Sequence, residues 1–143
     1  MSDWTRVVCA VDLHQDCRAL LETATSLARK LGAELTLLHV VATGEPNSIV
    51  APPERIQGLV TEAGLPLRAL CDTAASALGR PVPARVEHGQ PANEILRVSR
   101  ETGCDLLVLG THGRRGFGRA IFGSVAEKVV RSARCPVLTV GPP

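Results

Sequence analysis

The stretch LGTHGRRGFGRAIFGSV, Leu109 to Val125, puts five glycines and three arginines into seventeen residues. No Asp or Glu stands between Asp105 and Glu127. Glycine lets backbone N–H groups approach an anion, because no side chain stands in the way. Arg114, Arg115 and Arg119 add charge, and the guanidinium fork fits phosphate oxygens. Gly123 and Ser124 fall at the start of a helical pattern. Amides there lack intrahelical partners and the helix dipole favours negative charge. Ser124 can add a hydroxyl donor. The chemistry indicated is the holding of a phosphate. A solvated basic loop with a glycine turn has the same composition, and the residues alone leave both readings open.

Two standard phosphate patterns fail here. Gly118 and Gly123 have the spacing of a Walker loop, but Ser124 follows directly and the lysine is missing. Gly116 and Gly118 begin a dinucleotide fingerprint, but Ile121 stands where its third glycine belongs. Elsewhere the chemistry is sparse. Asp12 ends an apolar run and suits either a ligand contact or a turn or cap. Asp16 reads as a helix N-cap. His112 lies inside the loop and fits phosphate contact and plain exposure equally. His39 sits in an apolar run and reads as a satisfied buried histidine, and His88 as a structural strand-end residue. No spacing suggests a Ser-His-Asp or Cys-His set. Asp105 falls at the wrong end of its strand for catalysis.

The elements that must position the loop alternate. Residues 5–11, 34–41, 83–88, 105–109 and 136–140 read as strands. Residues 16–31 carry Leu20, Leu21, Ala24, Leu27, Ala28 and Leu31 on one helical face, followed by Gly32 at a C-cap position. Residues 42–53 read as an exposed loop or lid. Residues 54–79 look helical, with a break or kink expected at Gly64 and Pro66. Residues 92–102 form a helix with Ala92, Ile95 and Leu96 inward. Residues 121–132 form another, with Ile121, Phe122, Val125, Ala126, Val129 and Val130 inward. Near-continuous apolar strands alternating with helices specify an open, five-stranded parallel α/β sheet covered on both faces. Its ligand crevice lies beyond the carboxyl ends of the strands, where the strand order reverses. Asp12 and Gly110 both fall at that edge.

Composition narrows the classes. The chain has 143 residues, enough for one domain spanning residues 1–143 with a real core. Its net charge of +2 does not call for a polyanionic partner, and an aromatic fraction of 2% gives little to stack nucleobases on. Neither nucleic acid nor membrane is expected as a partner. The five cysteines, Cys9, Cys17, Cys71, Cys104 and Cys135, include no C-x-x-C, so neither a zinc site nor a redox dithiol is suggested. Cys9 and Cys104 read as core. Without a signal-peptide pattern, reduced cysteines in a cytoplasmic protein are expected.

Gly110, Gly113, Gly123 and Ser124 together spell G-x2-G-x9-G-[ST]. With the flanks VVCAVDLHQDCRALLETATSLARKLGAELTLLHVV, VEHGQPANEILRVSRETGCDLLVLGTHG and SARCPVLTV, the chain resembles the nucleotide-binding branch of the universal stress protein family over essentially its whole length. The resemblance implies a Rossmann-like, adenine nucleotide alpha-hydrolase-like fold that binds ATP, with Mg²⁺ accompanying the phosphates. It implies that Gly110, Gly113, Gly123, Ser124 and Val125 line the phosphate site, helped by the charge of Arg114. Leu109 would lie near ribose and adenine, Asp12 near the ribose with Ala10 and Val11 flanking that pocket, and Val41 at the adenine edge. His14 stands where the family often has serine. The resemblance further implies a homodimer through residues 136–140, whose exposed apolar edge suits strand pairing. The function expected is a stress-response binding module with no catalytic residue and little intrinsic catalysis, read by an unidentified protein partner. A slow ATPase or autophosphorylating enzyme, with Ser124 and Thr111 as acceptors, and a structural dimer holding AMP, another adenine nucleotide or none are the alternatives.

Overall fold

The computed structural model describes residues 3–44, 51–111 and 122–142. Its elements alternate as β1 (Arg6–Ala10), α1 (Arg18–Leu31), β2 (Glu34–Ala42), α2 (Pro53–Leu78), β3 (Ala84–Gly89), α3 (Pro91–Thr102), β4 (Leu106–Gly110), α4 (Ser124–Ser132) and β5 (Val137–Val140). The strands form one five-stranded sheet in the order β3-β2-β1-β4-β5, and every pairing is parallel. β1 lies at the centre, with Ala10 opposite Leu38 on one side and Leu109 on the other.

Strand alternation divides the core into two layers. Val7, Cys9, Leu35, Leu37, Leu106 and Val108 pack with α1 and α2 on one face. Val8, Leu38, Leu107 and Leu109 pack with α3 and α4 on the other. The helices bury the stripes their periodicity marks: Leu20, Leu21, Ala24 and Ala28 on α1, and Ala92, Ile95, Leu96 and Val98 on α3. α1 ends where Gly32 turns left-handed at φ 64 and returns its amide to the carbonyls of Ala28 and Arg29. At the opposite edge from the strand carboxyl ends, Asp105 Oδ2 accepts the amides of Thr5 and Arg6, each at 2.8 Å. Asp105 is therefore a brace between β1 and β4.

Three expectations need correction. α2 is one helix of 26 residues that runs through Pro66, so the break among the expected alternatives of break or kink is absent, and Gly64, Leu67, Cys71 and Ala74 are buried on both sides of the proline. α4 starts at Ser124 rather than at residue 121, and of its expected inward residues only Ala126 and Val129 are buried. Phe122 and Val130 are exposed at 40% and 46%, and Ile121 lies outside the described residues. Cys17, not Asp16, is the N-cap of α1, and no side chain caps it. Asp16 instead accepts the Arg18 amide at 3.0 Å and pairs with its guanidinium at 2.7 Å, contacts that hold its carboxyl down at about 2.

Candidate functional site

From β1 the chain moves outward to β2 and β3, then crosses back to β4 and β5 on the other side. The connections leaving β1 and β4 thus diverge to opposite faces, and a crevice opens between their carboxyl ends. The register puts Ala10 beside Leu109, so Val11 and Asp12 emerge next to Gly110 and Thr111. Ala10 is half-buried, while Val11 and Leu109 are buried at 4% each.

The β1 side of the crevice is held by its own backbone. The Val11 amide donates to the Leu38 carbonyl at 2.8 Å. Its carbonyl meets His39 Nδ1 at 3.0 Å, inside the 3.4 Å between the Leu13 amide and the same nitrogen. Nδ1 donates to the Val11 carbonyl in one tautomer and accepts the Leu13 amide in the other, and in both it ties His39 to the turn after β1. His39 is 6% exposed, and His14 approaches it edge-on with ring centroids 6.1 Å apart. Asp12 is half-buried; its Oδ1 accepts the His14 amide at 2.9 Å, and its carbonyl accepts the Gln15 amide and the Cys17 thiol. Burial, and then the charges of Asp12 and Asp16, push the Cys17 thiol up. It remains a neutral donor and a poor nucleophile.

The β4 side supplies amides. Gly110 pairs with Val140, and the Thr111 amide continues that ladder to the Val140 carbonyl at 3.0 Å. The Gly123 amide donates to the Thr111 carbonyl at 2.5 Å, so the two ends of the glycine-rich segment meet at the mouth of β4. Gly123 is the N-cap of α4, and the first intrahelical bond runs from the Glu127 amide to its carbonyl at 3.0 Å. The amides of Ser124, Val125 and Ala126 precede that bond and have no acceptor within the helix. Ser124 is exposed and Val125 half-buried against the α3–α4 core layer. Val41 is half-buried farther along the same edge, paired with His88.

The structure therefore brings Ala10, Val11, Asp12, Leu109, Gly110, Gly123, Ser124 and Val125 to one edge, with Val41 farther out on β2. Gly113, Arg114, Arg115, Arg119 and His112 lie outside the described residues, as do residues 45–50 of the expected lid. Two features escaped the sequence reading. The apolar neighbours of His39 signalled burial but not its hold on Val11. Nothing in the local pattern signalled the Thr111–Gly123 closure. Among the described residues, no group of three or more His, Cys, Asp or Glu could hold a metal ion, and no helix is long and apolar enough to cross a membrane.

A profile of the universal stress protein family matches residues 3–141. This chain belongs to the universal stress protein family. The universal stress protein YxiE of Bacillus subtilis is 32% identical over 146 aligned positions, covering 96% of this chain and 99% of the relative. The fold is that of the universal stress protein UspA from Lactobacillus plantarum, with a TM-score of 0.83 at 24% identity, covering 98% of this chain and 99% of that one. It is also that of a universal stress protein crystallised in complex with cAMP, with a TM-score of 0.73 at 24% identity over 99% and 100% of the two chains.

Proposed function

We propose that this universal stress protein is an adenine-nucleotide-binding module whose crevice between β1 and β4 takes ATP. The observation that carries the reading is that, at the reversal of strand order, the register ends β1, which Asp12 follows, beside β4, to whose end the Gly123 amide at the start of α4 is bonded. The amides of Ser124, Val125 and Ala126 suit phosphate oxygens. Asp12, one strand away, suits the hydroxyls of a ribose. Val11 and Leu109 offer buried apolar edges between these polar groups, and Val41 extends them toward the base. Gly113 completes the motif in sequence and Arg114 follows it with a positive charge; both lie outside the described residues. Mg²⁺ accompanies the phosphates as their counterion. The related protein crystallised with cAMP supports an adenine nucleotide as the ligand class.

Holding phosphate tightly does not accelerate its transfer, so this set of groups favours binding over hydrolysis. The module is a single domain, acts in the cytoplasm as a homodimer paired through β5, and is read by a protein partner. Two observations support the pairing. β5 is an edge strand whose four residues are all half-exposed, and Gly141 and Pro142 beyond it are exposed.

The test begins with protein purified without added nucleotide, denatured, and its released small molecules identified by mass. ATP at about one per chain is expected, or else saturable binding of ATP with Mg²⁺ by calorimetric titration. AMP or a cyclic nucleotide in its place would correct the ligand but keep the site. No release and no binding of any adenine nucleotide would overturn the proposal.

A further inference from the structure

The amino ends of β4 and β5 each begin beside a cysteine. Cys104 follows Gly103, the left-handed cap of α3 at φ 62, and is buried at 6% exposure. Cys135 lies between α4 and β5, partly exposed and packed against the same core layer. The parallel register that pairs Leu107 with Val137 draws these residues together across 31 positions of sequence. Their sulfurs are 3.9 Å apart. A disulfide needs that separation to shorten to about 2.05 Å.

We infer that Cys104 and Cys135 are a redox pair that forms a reversible disulfide between the ends of β4 and β5, at the edge of the sheet opposite the nucleotide crevice. The oxidant is a small-molecule disulfide. Cys135, the accessible member, gives up its proton and attacks one sulfur of that disulfide. A mixed disulfide forms and one small thiolate leaves, taking up the proton. Cys104 then loses its proton, and its sulfur attacks the Cys135 sulfur. The protein disulfide forms and the second small thiolate departs with that proton. Two protein thiols have lost two electrons, and one small disulfide has become two thiols. The order of attack follows from burial, which pushes the Cys104 thiol up to about 12, with the neighbouring Cys135 adding to the effect. Cys104 is therefore the poorer first nucleophile, and it is its place 3.9 Å from the Cys135 sulfur that lets it resolve the mixed disulfide.

A metal ion is the weaker occupant of this pair. Zinc held by protein side chains alone takes four of them, and among the described residues no third His, Cys, Asp or Glu joins the two sulfurs. The remaining cysteines offer no comparable pair: Cys9 and Cys71 are buried, and Cys17 donates its thiol proton to the Asp12 carbonyl.

The bridge would close a loop containing all of the glycine-rich segment and α4. Cross-linking a loop of this size removes freedom from the unfolded chain. The effect is thus on stability and on the anchoring of β5, with no need for a contact to nucleotide.

The experiment treats the folded, full-length chain with oxidised glutathione, alkylates the remaining thiols, and maps the cysteine-containing peptides by mass. The expected result is a peptide pair linked through Cys104 and Cys135 that separates on treatment with dithiothreitol. The midpoint of thermal unfolding should rise by roughly 5–15 °C on oxidation, and this rise should be absent from folded Cys135→Ser. Recovery of both residues as alkylated thiols would overturn the inference, as would glutathione retained on Cys135 without a bridge. So would a link through Cys9, Cys17 or Cys71, or an equal rise in Cys135→Ser. The readout is independent of nucleotide, so it stands or falls apart from the proposed binding function.

Discussion

Gly123 stands in extended backbone, φ −72 and ψ 167, which any residue can adopt. Replacing it therefore tests space and not backbone strain. Gly123→Val places a branched side chain over the amides that open α4, and ATP affinity should fall by at least roughly tenfold, while loss of a favourable N-cap costs about 1 kcal/mol of stability. Titration calorimetry on a variant with an unchanged circular dichroism spectrum measures the first effect; wild-type affinity would exclude phosphate from this helix end. Asp105, at the far edge, makes a different prediction. Hydrogen bonds from the Thr5 and Arg6 amides lower its pKa below the ordinary 3.8. Its contribution to stability is complete above that ordinary value and is lost as pH falls through the lowered one. Asp105→Asn should destabilise the fold at neutral pH, and its difference from wild type should vanish in acid; denaturant melts at several pH values read this directly. How much of the site can be seen in sequence differs residue by residue. Gly110, Gly123 and Ser124 announce themselves because the motif is local and its spacing is fixed by one loop. The Cys104–Cys135 contact does not, because parallel pairing creates it across the whole length of α4 and the loop before it.

Helices are readable wherever a single face is buried, because the period of 3.6 is then written directly into the apolar residues, while the strands show as near-continuous apolar runs because both faces of the sheet are covered. α2 shows where that reading fails. Pro66 signals a break, yet Gly64, Leu67, Cys71 and Ala74 keep one stripe across it, and their burial against the sheet carries the helix through. The proline still removes one intrahelical hydrogen bond and crowds the preceding turn. Pro66→Ala should accordingly stabilise the protein by about 1–2 kcal/mol, offset in part by the freer unfolded chain, and appear as a higher denaturation midpoint. The end of α1 depends on a residue distant in sequence. The Arg80 guanidinium donates to the carbonyl of Ala28, which already accepts the Ala33 amide at 2.9 Å, and to the carbonyl of Ala33 just beyond the helix, tying the end of α1 to the start of β2. Arg80→Ala should cost about 1–2 kcal/mol through the lost charged hydrogen bonds, measured by chemical denaturation. α4 erred in the other direction: Phe122 and Val130 are apolar yet exposed, so composition overstated the width of its buried face.

On the scale of the whole molecule, the alternation of strands and helices foretold the parallel sheet. The same alternation leaves β5 at the rim, and its hydrogen bonds define what a second copy would meet. The carbonyls of Pro136 and Val140 accept the amides of Leu107 and Thr111 on the β4 side. Backbone groups alternate sides along a strand, so Val137 and Thr139 direct theirs to the open edge. Two β5 strands running antiparallel could exchange hydrogen bonds through those residues and extend one sheet across both chains. Thr139→Pro removes one outward amide while sparing the Leu138 and Val140 groups that face β4, and edge strands tolerate proline at such a position. Sedimentation should show a dimer for the wild-type chain and a monomer for this variant at the same concentration, with the circular dichroism of the two alike. A wild-type monomer would remove the proposed assembly. A Thr139→Pro variant that remains dimeric would move the interface away from β5.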